Sequence, residues 1–145
     1  SRDRTMARSA APFSRRILLK SLAALGLPGS LVAADASDAL SVSLDEARAE
    51  FEAGRVVMID IREPNEHATG VARGARLLPM SQLGQRLPEI STDPKQPVLL
   101  ICNTQNRSSR TLKALRERGY ANVRFVEGGM SEWARRGWPM VKPGL

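Results

Sequence analysis

Two continuous apolar runs lie in the middle and later parts of the chain. Residues 56–61 (VVMIDI) and 97–102 (PVLLIC) are almost free of polar side chains and rich in branched aliphatic ones. Such runs are typical of strands that are buried on both faces of a parallel sheet. Two shorter runs, at residues 75–79 (ARLLP) and 123–127 (VRFVE), predict further strands.

Helical patterns separate these runs. Ser43 and Glu46 form an S-x-x-E capping box ahead of an apolar stripe that ends at Gly54. Residues 63–70 indicate a short helix or turn, and residues 37–42 are predicted to be a linker. The other predicted helices cover residues 81–87, ended by Pro88, and residues 107–118 and 128–137. Strands that alternate with helices favour an α/β domain with a central, mostly parallel sheet.

The net charge of +7 is unevenly distributed along the chain. Residues 1–36 carry six Arg or Lys against two Asp, whereas residues 37–145 carry sixteen against thirteen Asp or Glu. Because most of the excess lies in the first quarter, the basic composition does not indicate a nucleic-acid surface on the domain. We expect no nucleic-acid partner.

Residues 1–36 have the pattern of a bacterial export signal. An arginine-rich start leads to paired Arg15 and Arg16 within SRRILLK, which resemble a twin-arginine signal. A weakly charged apolar stretch follows, and ADA at residues 34–36 fits a small-x-small cleavage pattern.

The alternative interpretation of this segment is a membrane anchor. The apolar stretch is interrupted by glycine and proline and is shorter than the ~20 residues of a spanning helix. We therefore predict a cleaved signal over residues 1–36, a single domain over residues 37–145, and a periplasmic location without a stable membrane anchor.

Cys102 is the only cysteine, so it cannot form an internal disulfide in an oxidising compartment. It ends the run 97–102 and precedes the polar residues NTQN and then Arg107. In an open parallel sheet, ligands bind beyond the carboxyl ends of strands. A tight loop that leads into a helix directs several backbone N–H groups at one place, which attracts anions and favours a thiolate over a thiol.

The remaining composition limits the chemistry of this thiol. The one histidine, His67, lies in a different predicted loop, so a Cys–His pair is not indicated. One cysteine and one histidine cannot form a metal site of three or four ligands, and no C-x-x-C motif is present. A lone thiolate in an anion-binding loop suits two reactions: accepting sulfur from an anionic donor, or attacking a phosphate-like oxyanion. Either reaction requires that solvent reach the thiol.

Three regions of the chain resemble the rhodanese-homology domain, particularly the exported single-domain thiosulfate sulfurtransferases of bacteria. They are residues 56–79, 98–110 and 119–140. The resemblance implies a three-layer α/β domain without a cofactor or metal. The matching positions are Asp60, Arg62, Glu66, Gly74, Ala75, Pro79, Cys102, Arg107, Gly128, Gly129 and Trp133.

The resemblance also implies a sulfurtransferase mechanism. Cys102 would take a sulfane sulfur from thiosulfate as a persulfide and pass it to cyanide, to a small thiol or to a sulfur-accepting protein. Asp60 and Arg62 would support the loop. The residues predicted to bind the donor are Asn103, Thr104, Gln105, Asn106, Arg107 and Ser108.

Two features bear on which activity is present. The C-x4-R spacing from Cys102 to Arg107 is one residue shorter than the C-x5-R loop of related phosphatases, which favours sulfur transfer. Gln105 stands where the family loop usually has glycine, which raises the alternative of a non-catalytic partner-binding or persulfide-carrying module. If that position required a positive φ, glutamine there would cost about 1 kcal/mol or more.

Overall fold

The computed structural model describes residues 39–144. The predicted export signal over residues 1–36 lies outside this part of the chain. No helix within residues 39–144 has the length and apolar character needed to cross a membrane.

The strands follow the apolar runs of the sequence. They are β1 (Ser41–Val42), β2 (Val57–Asp60), β3 (Arg76–Leu77), β4 (Val98–Ile101) and β5 (Val123–Val126). They form one five-stranded sheet in the order β1-β5-β4-β2-β3, and every neighbouring pair is parallel. The predicted α/β class with a central parallel sheet is confirmed.

The helices lie in the predicted segments. They are α1 (Leu44–Glu52), α2 (Pro64–His67), α3 (Leu83–Arg86), α4 (Asn106–Glu117) and α5 (Gly129–Arg135), with 3-10 turns at Met80–Gln82 and Leu87–Glu89. The Ser43 hydroxyl accepts a hydrogen bond from the Glu46 N–H at 3.1 Å, which is the predicted N-cap of α1.

Two details of the predicted elements were wrong. Residues 41–42, assigned to a linker, form the edge strand β1 beside β5. Two residues are too short to show a strand period, so only the neighbouring strand reveals the pairing. Pro88 does not end the helical segment but lies inside the 3-10 turn Leu87–Glu89, where its missing N–H removes no required hydrogen bond.

Buried side chains form one cluster on each face of the sheet, so the domain has three layers. Alternate residues of β4 point to opposite faces, as in any strand. Leu99 and Ile101 join the cluster that α1 and α5 cover. Val98, Leu100 and Cys102 join the cluster that α4 covers. This alternation directs the Cys102 side chain toward α4.

Candidate active site

The candidate site lies at the carboxyl ends of β2 and β4, near the centre of the sheet. The chain leaves β2 toward β3 on one side, and it leaves β4 toward β5 on the other. Ligands of open α/β sheets bind where the connections diverge in this way. Cys102 directly follows β4 and therefore stands at this position.

The thiol is packed beneath the first turn of α4. Cys102 is 1% exposed. Its thiol donates to the Ser108 hydroxyl oxygen at 3.3 Å, and the Ser108 backbone N–H donates to Sγ at 3.4 Å. The Ser108 hydroxyl also donates to the Gln105 carbonyl at 3.3 Å. Because a hydroxyl has one proton, Ser108 can donate that proton either to the Gln105 carbonyl or to the sulfur, but not to both.

The surroundings of the sulfur differ from the expected arrangement in two ways. Several loop amides were expected to converge on the sulfur, but within residues 39–144 the Ser108 N–H is the backbone donor that reaches it. A catalytic thiol was also required to be open to solvent, and Cys102 is buried in this conformation. The sulfur is therefore buried at the end of β4 and is not exposed to solvent.

The loop above the sulfur offers free backbone donors. Asn103, Thr104, Gln105 and Asn106 are all exposed. The N–H groups of Asn103, Thr104, Gln105 and Arg107 have no acceptor among residues 39–144. The Asn106 N–H is only loosely bonded, at 3.5 Å, to the Thr104 hydroxyl. Unpaired N–H groups at the beginning of a twelve-residue helix favour an anion.

Helix α5 orients these donors. Its Met130 N–H donates to the Cys102 carbonyl and its Ser131 N–H to the Asn103 carbonyl, both at 2.8 Å. The described peptide bonds are trans, so an N–H points opposite to the carbonyl of the same peptide unit. Drawing the two carbonyls toward α5 therefore directs the N–H groups of Asn103 and Thr104 away from it.

Gly129 makes this close contact between loop and helix possible. Its φ is +61°, and a Cβ built there would lie 2.2 Å from the Thr104 carbonyl oxygen, 2.4 Å from that of Cys102 and 2.6 Å from that of Asn103. Only a residue without a Cβ fits among three carbonyl oxygens at these distances. Position 129, which matches the family pattern, thus requires glycine for a steric reason.

Gln105 does not adopt the positive φ that a position usually occupied by glycine could have required. Its φ is −159°, so the position does not require the positive φ that favours glycine. Its side-chain oxygen accepts a hydrogen bond from the Gly128 N–H at 2.9 Å. Gln105 therefore ties the loop to the beginning of α5 with a side chain that glycine lacks.

Arg107 forms a bidentate ion pair with Glu66. Nη1 and Nη2 donate to the two carboxylate oxygens, each at 2.7 Å, and both side chains are 28% exposed. The hydrogen bonds from Arg107 lower the pKa of Glu66 to about 2, against desolvation that raises it, and the same pairing raises the pKa of Arg107. Two donor positions of Arg107 are thus occupied, and its remaining N–H groups are left for an anion.

Asp60 and Arg62 form a buried pair on the other face of the sheet. Arg62 donates through Nη2 to Asp60 at 2.8 Å and also to the Gly70 carbonyl at 2.8 Å. Nε2 of His67 lies 3.3 Å from Asp60 but outside hydrogen-bond geometry. Asp60 is in register with Ile101, so its side chain shares the face opposite to Cys102. This group can brace the strand ends but is not directed at the sulfur.

The predicted site residues thus separate into distinct positions. Residues 103–107 form the loop after Cys102 and the beginning of α4, Ser108 contacts the sulfur, and Asp60 with Arg62 lie on the opposite face of the sheet. Sequence reasoning did not identify Glu66 as the partner of Arg107. The available signal was a carboxylate that follows β2, the strand beside β4. No cluster of three metal-ligating side chains occurs in the part of the chain that the structure describes.

Known proteins resemble this chain in sequence and in fold. Residues 43–136 match the family described as the rhodanese-like domain. A Bacillus subtilis protein named uncharacterized protein YqhL is 44% identical over 86 residues, which are 58% of this chain and 67% of that protein. A protein of Allochromatium vinosum named sulfurtransferase is 37% identical over 103 residues, which are 71% of this chain and 92% of that protein. The crystal structure of a rhodanese-related protein from Thermoplasma volcanium has a TM-score of 0.63 and 26% identity, covering 71% of this chain and 98% of that one.

Proposed function

Because this chain belongs to the rhodanese-like domain family, we propose that it is a thiosulfate sulfurtransferase that carries sulfur on Cys102. The relative named sulfurtransferase supports sulfur transfer as the reaction class. The observation that carries the proposal is the set of four N–H groups, in the loop that directly follows Cys102, that have no acceptor among the described residues. Such donors suit the three oxygens of a sulfonate group.

The reaction has two steps that return the enzyme to its starting form. The Cys102 thiolate attacks the outer sulfur of thiosulfate, an S–S bond forms on the protein, and the S–S bond of thiosulfate breaks to release sulfite. Cyanide or a thiolate then attacks the outer sulfur of the persulfide, and thiocyanate or a small persulfide leaves. The proton of the thiol passes to solvent before the attack, and the Ser108 N–H would then donate to the thiolate.

The surrounding residues have two roles: some bind the sulfur donor, and others hold the binding residues in position. The free N–H groups of residues 103–105 and 107 would hold the sulfonate oxygens of the donor and later the persulfide. Arg107 would contribute its remaining N–H donors from a position fixed by Glu66, whose carboxylate offsets the charge of the guanidinium. Because the sulfur is buried, the donor reaches it only when the exposed residues 103–106 move outward.

Burial of the sulfur favours one alternative function. A non-catalytic module that binds a partner would not need an open thiol, whereas a persulfide carrier would still need its sulfur to be reached by the donor. The two functions differ in whether free thiosulfate loads Cys102.

Intact mass measurement separates these functions. The full chain is incubated with thiosulfate, then with cyanide, beside a Cys102→Ser variant. The enzyme hypothesis predicts that the wild type gains the mass of one sulfur atom and loses it with release of thiocyanate, whereas the variant does neither. A wild type that gains no sulfur from thiosulfate or from thiosulfonates contradicts the enzyme hypothesis.

The location of this activity is a second part of the proposal. The composition of residues 1–36 supports export to the periplasm, with Arg15 and Arg16 as the recognition pair. Expression of the full chain in a bacterium, followed by fractionation, should give periplasmic protein that is lost in the Arg15→Lys/Arg16→Lys variant. Cytoplasmic retention of the wild type contradicts it, and so does periplasmic protein from the variant.

A further inference from the structure

A groove outside the sulfur site runs between α3 and α4. Its volume is about 270 Å³, and its lining is mostly apolar or small. Leu83, Gly84 and Leu87 form one side, Thr111 and Ala114 form the other, and Arg110 and Arg118 lie at the two ends. A Cβ built on Gly84 would meet no heavy atom within 4 Å, so the space beside it is open.

The charges at the ends of the groove have no counterpart among residues 39–144. Neither Arg110 nor Arg118 forms an ion pair or side-chain hydrogen bond with a described residue, and both are exposed. By contrast, the arginines of α1 and α5, such as Arg48 and Arg136, are paired with carboxylates. Along α4 the two groove arginines are eight residues apart, which corresponds to about 12 Å.

This arrangement fits an acidic amphipathic helix better than other occupants. The volume is below the roughly 300 to 1,000 Å³ of sites for drug-sized ligands, but an open apolar groove accepts aliphatic side chains of a helix. Glutamates seven or eight positions apart on such a helix match the spacing of the arginines. The chain's own residues 1–36 carry a net positive charge, which Arg110 and Arg118 would repel.

The groove lies close to the candidate active site along α4. Arg110, which lines the groove, is three residues after Arg107, which is about one turn of helix. A helix that contacts Arg110 is therefore about one helical turn from the residues that follow Cys102. We propose that the α3–α4 groove docks an acidic amphipathic helix of a protein that accepts sulfur. The identity of the transferred atom rests on the proposed function, but the docking itself does not.

A defined peptide tests the docking on the full chain without any sulfur donor. The probe is a capped 18-residue alanine-based helical peptide with leucines at positions 7 and 8 and glutamates at positions 4 and 11. A matched peptide carries lysines at positions 4 and 11. Binding is followed by amide chemical shifts in ¹⁵N-labelled protein. The expected result is saturable shifts at Leu83, Gly84 and Ala114 with the glutamate peptide, weakened by salt, and none with the lysine peptide.

Variants separate the groove from general attraction to a basic helix. Arg110→Gln/Arg118→Gln should weaken binding about fivefold, as expected for two exposed ion pairs. Ala114→Gln, which fills the groove without a charge change, should weaken it on the order of tenfold. Lys113→Gln removes the same kind of charge from an exposed position of α4 outside the lining and should leave binding unchanged.

Other outcomes overturn the proposal. They are the absence of shifts at the groove amides, equal binding of the lysine peptide, or equal weakening by Lys113→Gln. Tighter binding of decanoate than of the peptide at these amides would assign the groove to a small carboxylate. Self-association in sedimentation that Ala114→Gln abolishes would assign it to a second copy of this chain. Loading of Cys102 by thiosulfate is measured separately on every variant, so failure of the proposed function remains distinguishable from failure of docking.

Discussion

The contact of Gly129 with the sulfur-bearing loop gives a sharp prediction. In Gly129→Ala, the new Cβ would lie 2.2 Å from the Thr104 carbonyl oxygen and within 2.6 Å of two others. Contacts below 3.0 Å essentially do not occur for real Cβ atoms, so the loop must move by about 0.8 Å. That movement would also lengthen the hydrogen bonds from Met130 and Ser131 to the loop.

The expected loss is larger for catalysis than for stability. Alanine at positive φ costs about 1 kcal/mol, and two weakened hydrogen bonds add about 1–3 kcal/mol, so unfolding should be easier by roughly 2–4 kcal/mol. A displacement near 1 Å of the groups that hold the substrate can cost on the order of 100-fold in rate. We therefore expect kcat/KM for thiosulfate-to-cyanide transfer to fall by about two orders of magnitude while the protein remains folded.

Gly137→Ala is the matched control. Gly137 follows the same helix, has a φ of +73° and has no heavy atom within 4 Å of a built Cβ. It should lose about 1 kcal/mol and keep wild-type activity. Chemical denaturation gives the unfolding free energies, and thiocyanate formation gives the rates. If Gly129→Ala matches Gly137→Ala in both measurements, the loop does not depend on contact with α5 and the steric argument is wrong.

Three further predictions concern individual contacts of the site. Because its folded pKa is lowered to about 2 from 4.5, Glu66 stabilises the fold above pH 4.5, and this contribution is lost as the pH falls toward 2. In urea denaturation between pH 7 and 3, the wild type should lose about 1–2 kcal/mol more than Glu66→Gln, after allowance for partial exposure. Ser108→Ala should lower the rate of persulfide formation on the order of tenfold, whereas Ser109→Ala in the same turn should not, as measured by intact mass over time. Gln105→Ala should lower the unfolding free energy by about 0.5–1 kcal/mol through loss of the bond to Gly128, as measured by chemical denaturation.

Each of these predictions has an opposing result. Parallel pH profiles of wild type and Glu66→Gln would show that the ion pair does not contribute to stability. Equal persulfide rates in the two serine variants would show that the bonds of Ser108 to the sulfur are not used. A Gln105→Ala variant that is as stable as the wild type would show that the hydrogen bond from Gly128 is negligible.

The sequence predicted the layers of the domain because their signals are local. Runs such as PVLLIC predict strands that are buried on two faces. The S-x-x-E pattern, which spans only four residues from Ser43, predicts the start of α1. The same local pattern placed Cys102 at the end of a central strand, ahead of a helix. The strand β1 was missed because its two residues become a strand only through pairing with β5.

The sequence by itself determined the type of domain and the position of Cys102 at a strand end, since both follow from burial patterns over a few neighbouring residues. Only the tertiary structure decided the details of the site. Glu66 meets Arg107 across 41 residues, and Gly129 meets the loop carbonyls across more than twenty. The burial of the Cys102 sulfur likewise depends on how α4 and its loop pack on the sheet. Contacts of this kind depend on which strands become neighbours, and no local period in the sequence encodes that arrangement.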